Sequence, residues 1–388
     1  MLTNNRIDSK KIKTIIETTI LGVLFMRYNK KRSIQKKLFP FLLLGSFCIT
    51  ACNHISFSEQ LSNLSSENKK TNNSKEESAK REVFAMDTYM TLTAYGENAE
   101  KAVNLAEEEI TKLDKLLSTG LQTSEINKLN REGTAVLSTD TAYLMEQTLK
   151  ICKDTKNSFN PAIYPIMELW GFPDKNYSVP TKKQLEKTLK LTDISKISFQ
   201  EETGLATLLD GMKIDFGGIA KGYASQKVID IFKENEINSG IIDLGGNIYV
   251  LGNKTDGSSW HIAIKHPEKD EEILGILSLA DKAIITSGGY ERYFEKDGKT
   301  YHHIIDPSTG YPAENGLLSV SIISEDGTLA DAMSTALFVM GKDAAISYWK
   351  KHSDQFNMIL FTEDGELYIT KELENVFASD FKIKVIEN

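Results

Sequence analysis

The sequence predicts an α+β fold from two observations. Helical and strand-like segments are mixed along the chain without the regular strand–helix–strand alternation of a parallel sheet. The C-terminal half is also rich in short strand-like segments, two pairs of which are joined by Asp-Gly turns. A chain of 388 residues can bury a core without disulfides, and three cysteines are too few for a disulfide framework.

Apolar spacing predicts the elements that precede residue 239. Thr- and Tyr-rich alternation favours a strand over 83–95, and apolar residues at helical spacing favour an amphipathic helix over 97–117. The other expected elements are a helix over 139–156, a Pro- and aromatic-rich loop over 159–173, a helix over 181–191 begun by Thr181, a hairpin of 206–209 with 213–216 turned at Asp210-Gly211, and a helix over 219–235.

The remaining elements are mostly strands. We expect strands over 240–250, 260–265, 273–279, 283–286, 291–295, 300–305 and 317–324, helices over 328–340 and 343–351, and a final hairpin turned at Asp364-Gly365. The strands over 291–295 and 300–305 should be joined at Asp297-Gly298. Because no low-complexity break divides residues 82–388, we interpret them as one catalytic unit.

The first 81 residues predict an export signal and a tether. Basic residues from Lys30 to Lys37 precede an apolar run, Leu38 to Ile49, that is shorter than the roughly 20 residues of a spanning helix. The segment Ile49 to Cys52 resembles a bacterial lipobox, which implies cleavage before Cys52 and its lipidation. The alternative is an ordinary signal peptide with an incidental Cys.

Met26 opens a conventional signal peptide, so the expected organisation has four parts. Residues 1–25 are a miscalled N-terminal extension, 26–51 a lipoprotein signal peptide, 52–81 the lipidated Cys and a flexible linker, and 82–388 the catalytic domain. The linker is almost free of apolar residues after Leu64, so it cannot bury enough surface to order. This organisation predicts a lipid-anchored protein at the extracytoplasmic face of the cell membrane.

The charge distribution argues against nucleic-acid binding. Residues from Cys52 onward carry 36 basic and 52 acidic side chains, a net charge of −16. Such a body repels phosphate backbones. A nucleotide held with a bridging cation remains compatible with this charge.

Three apolar runs end in paired glycines, at Gly217-Gly218, Gly245-Gly246 and Gly288-Gly289. Glycine lets a backbone approach a ligand closely, and Gly217-Gly218 leads into a predicted helix start. Helix N-termini bind phosphates, and Lys221 would add a cation there. Nucleotide binding and plain tight turns both remain open, while neither a Rossmann fingerprint nor a P-loop is present.

Two further groups of residues suggest chemistry. Asp331 and Thr335 share a helix face, and such oxygen ligands suit Mg²⁺. The alternative is an Asp that interacts with the helix dipole and a Thr bonded to its own backbone. His302 and His303 precede a Pro- and Gly-built turn, and at most one of them can face a given site. No zinc-ligand spacing is present, and Cys152 is expected in a helix core.

Taken together, nine segments in order resemble the ApbE family of FAD:protein FMN transferases. They cover nearly all of 82–388 and are 86–88, 124–127, 159–163, 169–172, 215–223, 243–247, 287–292, 303–312 and 331–337. Nine segments in register are far more specific than any one of them.

The resemblance implies a two-lobed, T-fold-related enzyme that uses Mg²⁺ and FAD. It would transfer FMN to a Thr or Ser hydroxyl of an exported or membrane-bound flavoprotein and release AMP. By position, the implied metal ligands are Asp331, Thr335 and the Gly218 carbonyl, and His303 is the residue required for transfer. The implied FAD contacts are Met86, Ser158, Phe159, Asn160, Asp215, Lys221 and Ile305.

Three positions depart from the family pattern. Many members have Asp in place of Asn160, some have a flavin-facing Tyr at Gly120, and some have Asp at Ser334. Two other functions remain open on the sequence alone. One is Mg²⁺-dependent FAD hydrolysis to FMN and AMP, and the other is a flavin-binding lipoprotein without catalysis.

Overall fold

A nine-stranded sheet organises the part of the chain that the computed structural model describes, residues 77–388. The predictions for residues 1–76, including the signal peptide and Cys52, lie outside this part. Residues 77–388 belong to one compact unit. No helix within 77–388 is long and apolar enough to cross a membrane.

The strands, in chain order, are β1 (Ser78–Ala85), β2 (Thr88–Tyr95), β3 (Thr134–Val136), β4 (Ser198–Gln200), β5 (Leu205–Thr207), β6 (Ser239–Leu244), β7 (Ile248–Leu251), β8 (Trp260–Lys265), β9 (Ile273–Leu279), β10 (Lys282–Gly288), β11 (Tyr293–Lys296), β12 (Lys299–His302), β13 (Leu317–Ser324), β14 (Asn357–Thr362), β15 (Leu367–Thr370), β16 (Phe377–Ala378) and β17 (Ile383–Ile386). The large sheet has the order β1-β2-β6-β7-β10-β13-β14-β15-β17, and only its last pair is parallel. Smaller sheets are β11-β12, β16-β9-β8 and β3-β5-β4.

The α-helices are α1 (Ala99–Leu117), α2 (Glu125–Glu132), α3 (Thr139–Asp154), α4 (Tyr164–Trp170), α5 (Lys182–Thr188), α6 (Ala220–Glu234), α7 (Gly327–Met340) and α8 (Lys342–Trp349). Short 3₁₀ turns lie at Pro161–Ile163, Leu189–Leu191, Ile194–Lys196 and Lys371–Leu373. Mixed helices and largely antiparallel strands confirm the predicted α+β class.

The two faces of the large sheet bury different partners. Because side chains alternate along a strand, Ile285 and Ile322 join a core with α1, α6 and α7, while Ile284 and Ile323 join a core that includes β8 and β9. A third, mainly aromatic cluster surrounds Trp170. Helix α7 is buried on nearly every side, so its polar residues lie inside the protein.

The predicted strand over 83–95 is a hairpin instead. Its turn is Met86-Asp87, where both residues take positive φ, 48° and 59°. Strand β1 starts at Ser78, inside the predicted linker, because it pairs with β2 along its whole length. The predicted strand over 240–250 is likewise the β6–β7 hairpin, turned at Gly245-Gly246 with φ of 71° and 97°.

Two further predictions in this half are wrong. Residues 213–216 form no strand, because the side chain of Asn130 bonds both the N–H and the carbonyl of Ile214 at 2.7 and 2.8 Å and replaces a partner strand. Strand β5 pairs with β3 and β4. The expected loop over 159–173 contains α4, whose Pro165 lies in the first turn, where an N–H has no helical partner to lose.

The other predicted elements are confirmed, most of them within two residues at each end. Thr181 caps α5 through a capping box with Gln184, although the expected helix continues past Thr188 only as a 3₁₀ turn. Cys152 is buried in α3, as predicted.

Candidate active site

A cleft of about 820 Å³ opens at one end of the large sheet. The β1–β2 and β6–β7 turns, the end of β10, the start of α6 and the side of α7 meet there. Within the described chain, the cleft contains all eleven residues assigned to metal, FAD or transfer: Met86, Ser158, Phe159, Asn160, Asp215, Gly218, Lys221, His303, Ile305, Asp331 and Thr335. The fold thus brings residues up to 249 positions apart to one place.

Asp331 is the buried carboxylate of the cleft. Its Oδ2 accepts a hydrogen bond from the N–H of Gly222, in the first turn of α6, at 2.8 Å. Burial raises the pKa of Asp331, while the nearby charge of Lys221 opposes this change. A buried carboxylate is costly unless a cation or hydrogen bonds compensate its charge, so this residue is suited to a cation ligand.

Close helix packing sets the position of Asp331. A Cβ on Gly222 would lie 2.2 Å from the carbonyl oxygen of Gly327 and 2.5 Å from Cβ of Asp331. Only glycine at this crossing allows α6 and α7 to approach so closely. The backbone N–H of Gly222 can therefore reach the carboxylate.

Hydroxyl groups surround the next turn of α7. Ser287 at the end of β10 has its Oγ 2.8 Å from that of Ser334 and 3.4 Å from Oγ1 of Thr335. Ser334 also donates to the carbonyl of Asp331 at 2.8 Å. Gly218 lies beside them, since a Cβ there would be 3.7 Å from Oγ1 of Thr335.

This donor set fits a hard divalent cation. Asp331 supplies a carboxylate, Thr335 a hydroxyl and Gly218 a carbonyl, all of them oxygen ligands of the kind that Mg²⁺ accepts. Within 77–388 no three His, Cys, Asp or Glu side chains are grouped as a metal site. A magnesium ion held by so few protein ligands would leave positions free for water or phosphate oxygens.

Lys221 and Asn247 link the α6 start to the β6–β7 turn. The Nζ of Lys221 donates to Oδ1 of Asn247 at 3.1 Å. The amide nitrogen of Asn247 is buried and makes no hydrogen bond of ordinary geometry. It lies near the Asp331 carboxylate and favours its ionised form, which partly opposes the rise in the pKa of Asp331 caused by burial. Asn247 therefore points a polar group into the same part of the cleft.

His303 follows β12 and contributes a neutral imidazole. Its Nδ1 lies 3.1 Å from the carbonyl of Arg292, which can only accept, so Nδ1 carries the proton in the neutral ring. Burial lowers the pKa of His303 to about 4. At neutral pH its Nε2 therefore holds a lone pair that can take a proton.

The neighbouring His302 has a different environment. It lies outside the cleft lining and packs edge-to-face on Phe338, with centroids 5.7 Å apart. At most one of the two histidines was expected to face a given site, and of the two only His303 lines the cleft.

The side chain of Asn160 is occupied by the protein itself. It accepts from the N–H of Ala162 at 2.8 Å and donates to the carbonyl of Thr192 at 2.9 Å. An Asp could not make the second bond, so the Asn in this chain has a local structural reason. Phe159 packs close to Gly218, since a Cβ on that glycine would meet its ring at 3.0 Å.

The cleft is acidic overall. Burial also raises the pKa of Asp215, against the charge of Arg292. Six carboxylates face three cations; the acids are Asp87, Asp114, Asp215, Asp243, Glu291 and Asp331, and the cations are Lys221, Lys265 and Arg292. A diphosphate would need an added cation here.

Sequence reasoning assigned no role to Arg292, Asn247 or Ser287. Each lies in a segment of the family resemblance, but only the fold shows its partners. Arg292 donates to the carbonyl of Phe172 and presents its own carbonyl to His303. The signal that could have found these three residues was their position within the segments 243–247 and 287–292.

Comparisons with known proteins found similar sequences and a similar fold. The model of the ApbE family matches residues 86–360. An FAD:protein FMN transferase of Klebsiella pneumoniae is 35% identical over 55% of this chain and 66% of its own length. One from Vibrio cholerae is 31% identical over 66% of this chain and 80% of its own. The crystal structure of the ApbE protein from Thermotoga maritima superposes with a TM-score of 0.73 at 31% identity, covering 77% of this chain and 99% of that one.

Proposed function

The chain belongs to the ApbE family, and from that premise we propose that it transfers FMN from FAD to a Thr or Ser hydroxyl of a partner flavoprotein and releases AMP. The observation that carries the proposal is the meeting of Asp331, Thr335, Gly218 and a neutral His303 in one cleft. The relatives named above are FAD:protein FMN transferases, which agrees with this assignment.

The chemistry is a phosphoryl-type transfer. The acceptor oxygen forms a bond to the phosphorus of the FMN half, and the bond from that phosphorus to the oxygen of AMP breaks. His303 Nε2 takes the hydroxyl proton, while its Nδ1–H stays bonded to the Arg292 carbonyl and fixes the ring. Positioning and charge neutralisation dominate such reactions.

Asp331, Thr335 and the Gly218 carbonyl would hold Mg²⁺. When bound, this ion supplies the positive charge that a diphosphate needs in an acidic cleft. Lys221 adds a fixed cation beside the start of α6, whose N–H groups favour an anion. Together these residues would bind and orient the diphosphate.

The same geometry would also allow water to attack in place of the Thr or Ser hydroxyl, which would make the chain an FAD pyrophosphatase. Protein transfer is preferred because the similar proteins are named for it. A catalytically inert flavin-binding lipoprotein is disfavoured by a neutral base placed in the same cleft as the oxygen ligands.

The predicted lipid anchor suggests where the acceptor is found. A chain tethered through Cys52 at the extracytoplasmic face would meet exported or membrane-bound flavoproteins. Replacing Cys52 with Ser should move the protein from the membrane fraction to the soluble one, and retention in the membrane would argue against the anchor.

Mass spectrometry tests the reaction. Exported proteins from cells lacking this gene are incubated with the purified chain, FAD and Mg²⁺, and peptides are searched for an FMN-sized adduct on Thr or Ser. We expect adducts with the wild type and none with His303→Ala or with a chelator. Quantitative FMN and AMP release with no protein adduct would favour the pyrophosphatase, and FAD binding without AMP release would favour the inert binder.

A further inference from the structure

Two aromatic side chains are exposed on the β1–β2 hairpin. Phe84 is 63% exposed and Tyr89 is 74% exposed. They are register partners across the hairpin, and their rings contact edge-to-face with centroids 5.0 Å apart. We call them the Phe84–Tyr89 pair. Exposed aromatic residues that lie together are enriched where proteins bind other proteins.

The Phe84–Tyr89 pair adjoins the cleft. The next register pair is Ala85 with Thr88, and the turn Met86-Asp87 follows. Met86, Asp87 and Thr88 all line the cleft. Since a strand rises about 3.3 Å per residue, the aromatic rings stand within about 7 Å, along the strand, of residues that form the cleft wall.

We propose that the Phe84–Tyr89 pair is the docking surface for the acceptor protein, where an apolar side chain near the accepting Thr or Ser binds. This inference rests on the proposed function. The acceptor is a polypeptide, so its hydroxyl can reach the cleft only if the acceptor residues that flank it lie across the rim of the cleft. The pair lies next to the cleft-lining turn at that rim, and β1 is the first strand in the order of the sheet.

Charge favours a protein over a lipid surface at this position. The body carries a net charge of −16 from Cys52 onward, which anionic lipids repel. Beside the pair, Lys80 and Glu82 neutralise one another in an exposed ion pair at 2.9 Å, so Lys80 adds no net positive charge there. An uncharged aromatic pair in such surroundings suits an apolar protein side chain.

The test uses the full chain and a defined probe. The probe is a synthetic 15-residue peptide around the FMN-bearing Thr or Ser found by adduct mapping, together with the same peptide with its apolar residues changed to Ser. The variant carries Phe84→Ser and Tyr89→Ser. Val136→Ser is the matched control, because Val136 is also exposed, at 69%, but lies on β3 outside the cleft lining.

We expect the double variant to raise the KM for the peptide by at least about tenfold, the effect of losing a small binding hot spot. The KM for FAD should stay unchanged, and so should the KM for the peptide in Val136→Ser. The conservative pair Phe84→Leu and Tyr89→Phe should keep the peptide KM near the wild-type value. The apolar-to-Ser peptide should show the raised KM with the wild-type chain.

An unchanged peptide KM in the double variant would overturn the inference and leave the proposed function standing. A changed FAD KM with a lowered melting temperature would show that the pair only stabilises the hairpin, and this result would also overturn the inference. The inference would likewise be overturned if the double variant lost binding to vesicles of phosphatidylglycerol and phosphatidylethanolamine while its peptide KM stayed unchanged. A wild-type chain that modifies no protein would overturn the proposed function and this inference together.

Discussion

The two sides of the cleft are built in different ways. On one side, Asp331 and Thr335 project from α7, which is buried in the main core against α6 and the sheet. On the other side, His303 follows a two-stranded hairpin that rests on the separate aromatic cluster around Trp170. The first side holds a buried charge through helix packing, and the second holds a neutral ring through a single backbone carbonyl.

This difference separates two tasks. A ligand for a cation must keep its charge inside the protein, which requires N–H donors and a rigid frame. A base must stay neutral until a proton arrives, which burial without a carboxylate partner achieves. We therefore expect substitutions on the α7 side to abolish neutralisation of the diphosphate charge. Substitutions on the hairpin side should remove proton transfer or loosen the position of the His303 ring.

The largest effect should come from Asp331→Asn. Asn can still accept from Gly222 but lacks the charge, so we expect the rate of AMP release at saturating FAD to fall about 1,000-fold, the value of several kcal/mol of charge stabilisation. Measuring this rate across a Mg²⁺ titration checks it. A variant that keeps a wild-type response to Mg²⁺ would remove Asp331 from the metal site.

The same substitution lowers the rate but should not lower the stability of the metal-free protein. Because burial raises the pKa of Asp331 in the folded state, its ionised form destabilises the metal-free fold once pH rises through that pKa. In a chelator at neutral pH, Asp331→Asn should melt at the same temperature as the wild type or higher. A clearly lower melting temperature would show that the carboxylate is fully compensated by the protein.

The next effect should come from His303. His303→Gln keeps a polar side chain without a base, and loss of a general base costs about 100-fold or more in rate. Because burial lowers the pKa of His303 to about 4, the neutral ring persists to a lower pH than that of an ordinary histidine. NMR titration of the imidazole protons, assigned by their loss in His303→Gln, should give a midpoint near 4 rather than 6.5. A midpoint near the usual value would mean that the ring is exposed to water and only weakly held.

Gly222→Ala should lower the rate less than the two preceding substitutions, and it should lower stability as well. The new methyl would stand 2.2 Å from the Gly327 carbonyl oxygen, so α6 and α7 must separate and Asp331 must move. We expect destabilisation of about 1–3 kcal/mol, as for other overpacked cores, measured by urea unfolding. Gly120→Ala is the control for unfolding stability, because the same methyl would meet nothing closer than 3.9 Å. Equal effects of the two changes would contradict the close-packing argument.

The smallest effect should come from Trp170→Phe. Trp170 Nε1 donates to the carbonyl of Gly310 at 2.8 Å, and the loss should cost about 1–2 kcal/mol. Trp349→Phe removes a matched bond, at 2.9 Å to Phe356, from the main core. Both variants should lose similar stability, but only Trp170→Phe should lower the rate a few-fold, since its cluster supports the His303 side. If both slow the reaction equally, the two sides are mechanically coupled.

Local sequence patterns determined much of the secondary structure of this protein. Helix α1 follows from apolar residues at helical spacing, α5 from the cap at Thr181, and the β11–β12 and β14–β15 turns from Asp-Gly pairs, because these signals act between near neighbours. The site residues came from short segments that resemble one family, and all of those within the described chain lie in one cleft.

The tertiary structure decided what depends on distant partners. Residues 213–216 look like a strand, but the side chain of Asn130 bonds their backbone, 84 positions away. The pairing of β1 with β2 makes a turn of Met86-Asp87, and the crossing at Gly222 and Gly327 lets α6 reach Asp331. The role of the Arg292 carbonyl in fixing His303 likewise needed the fold. Such contacts depend on which backbone groups and surfaces meet after folding, and no local spacing records them.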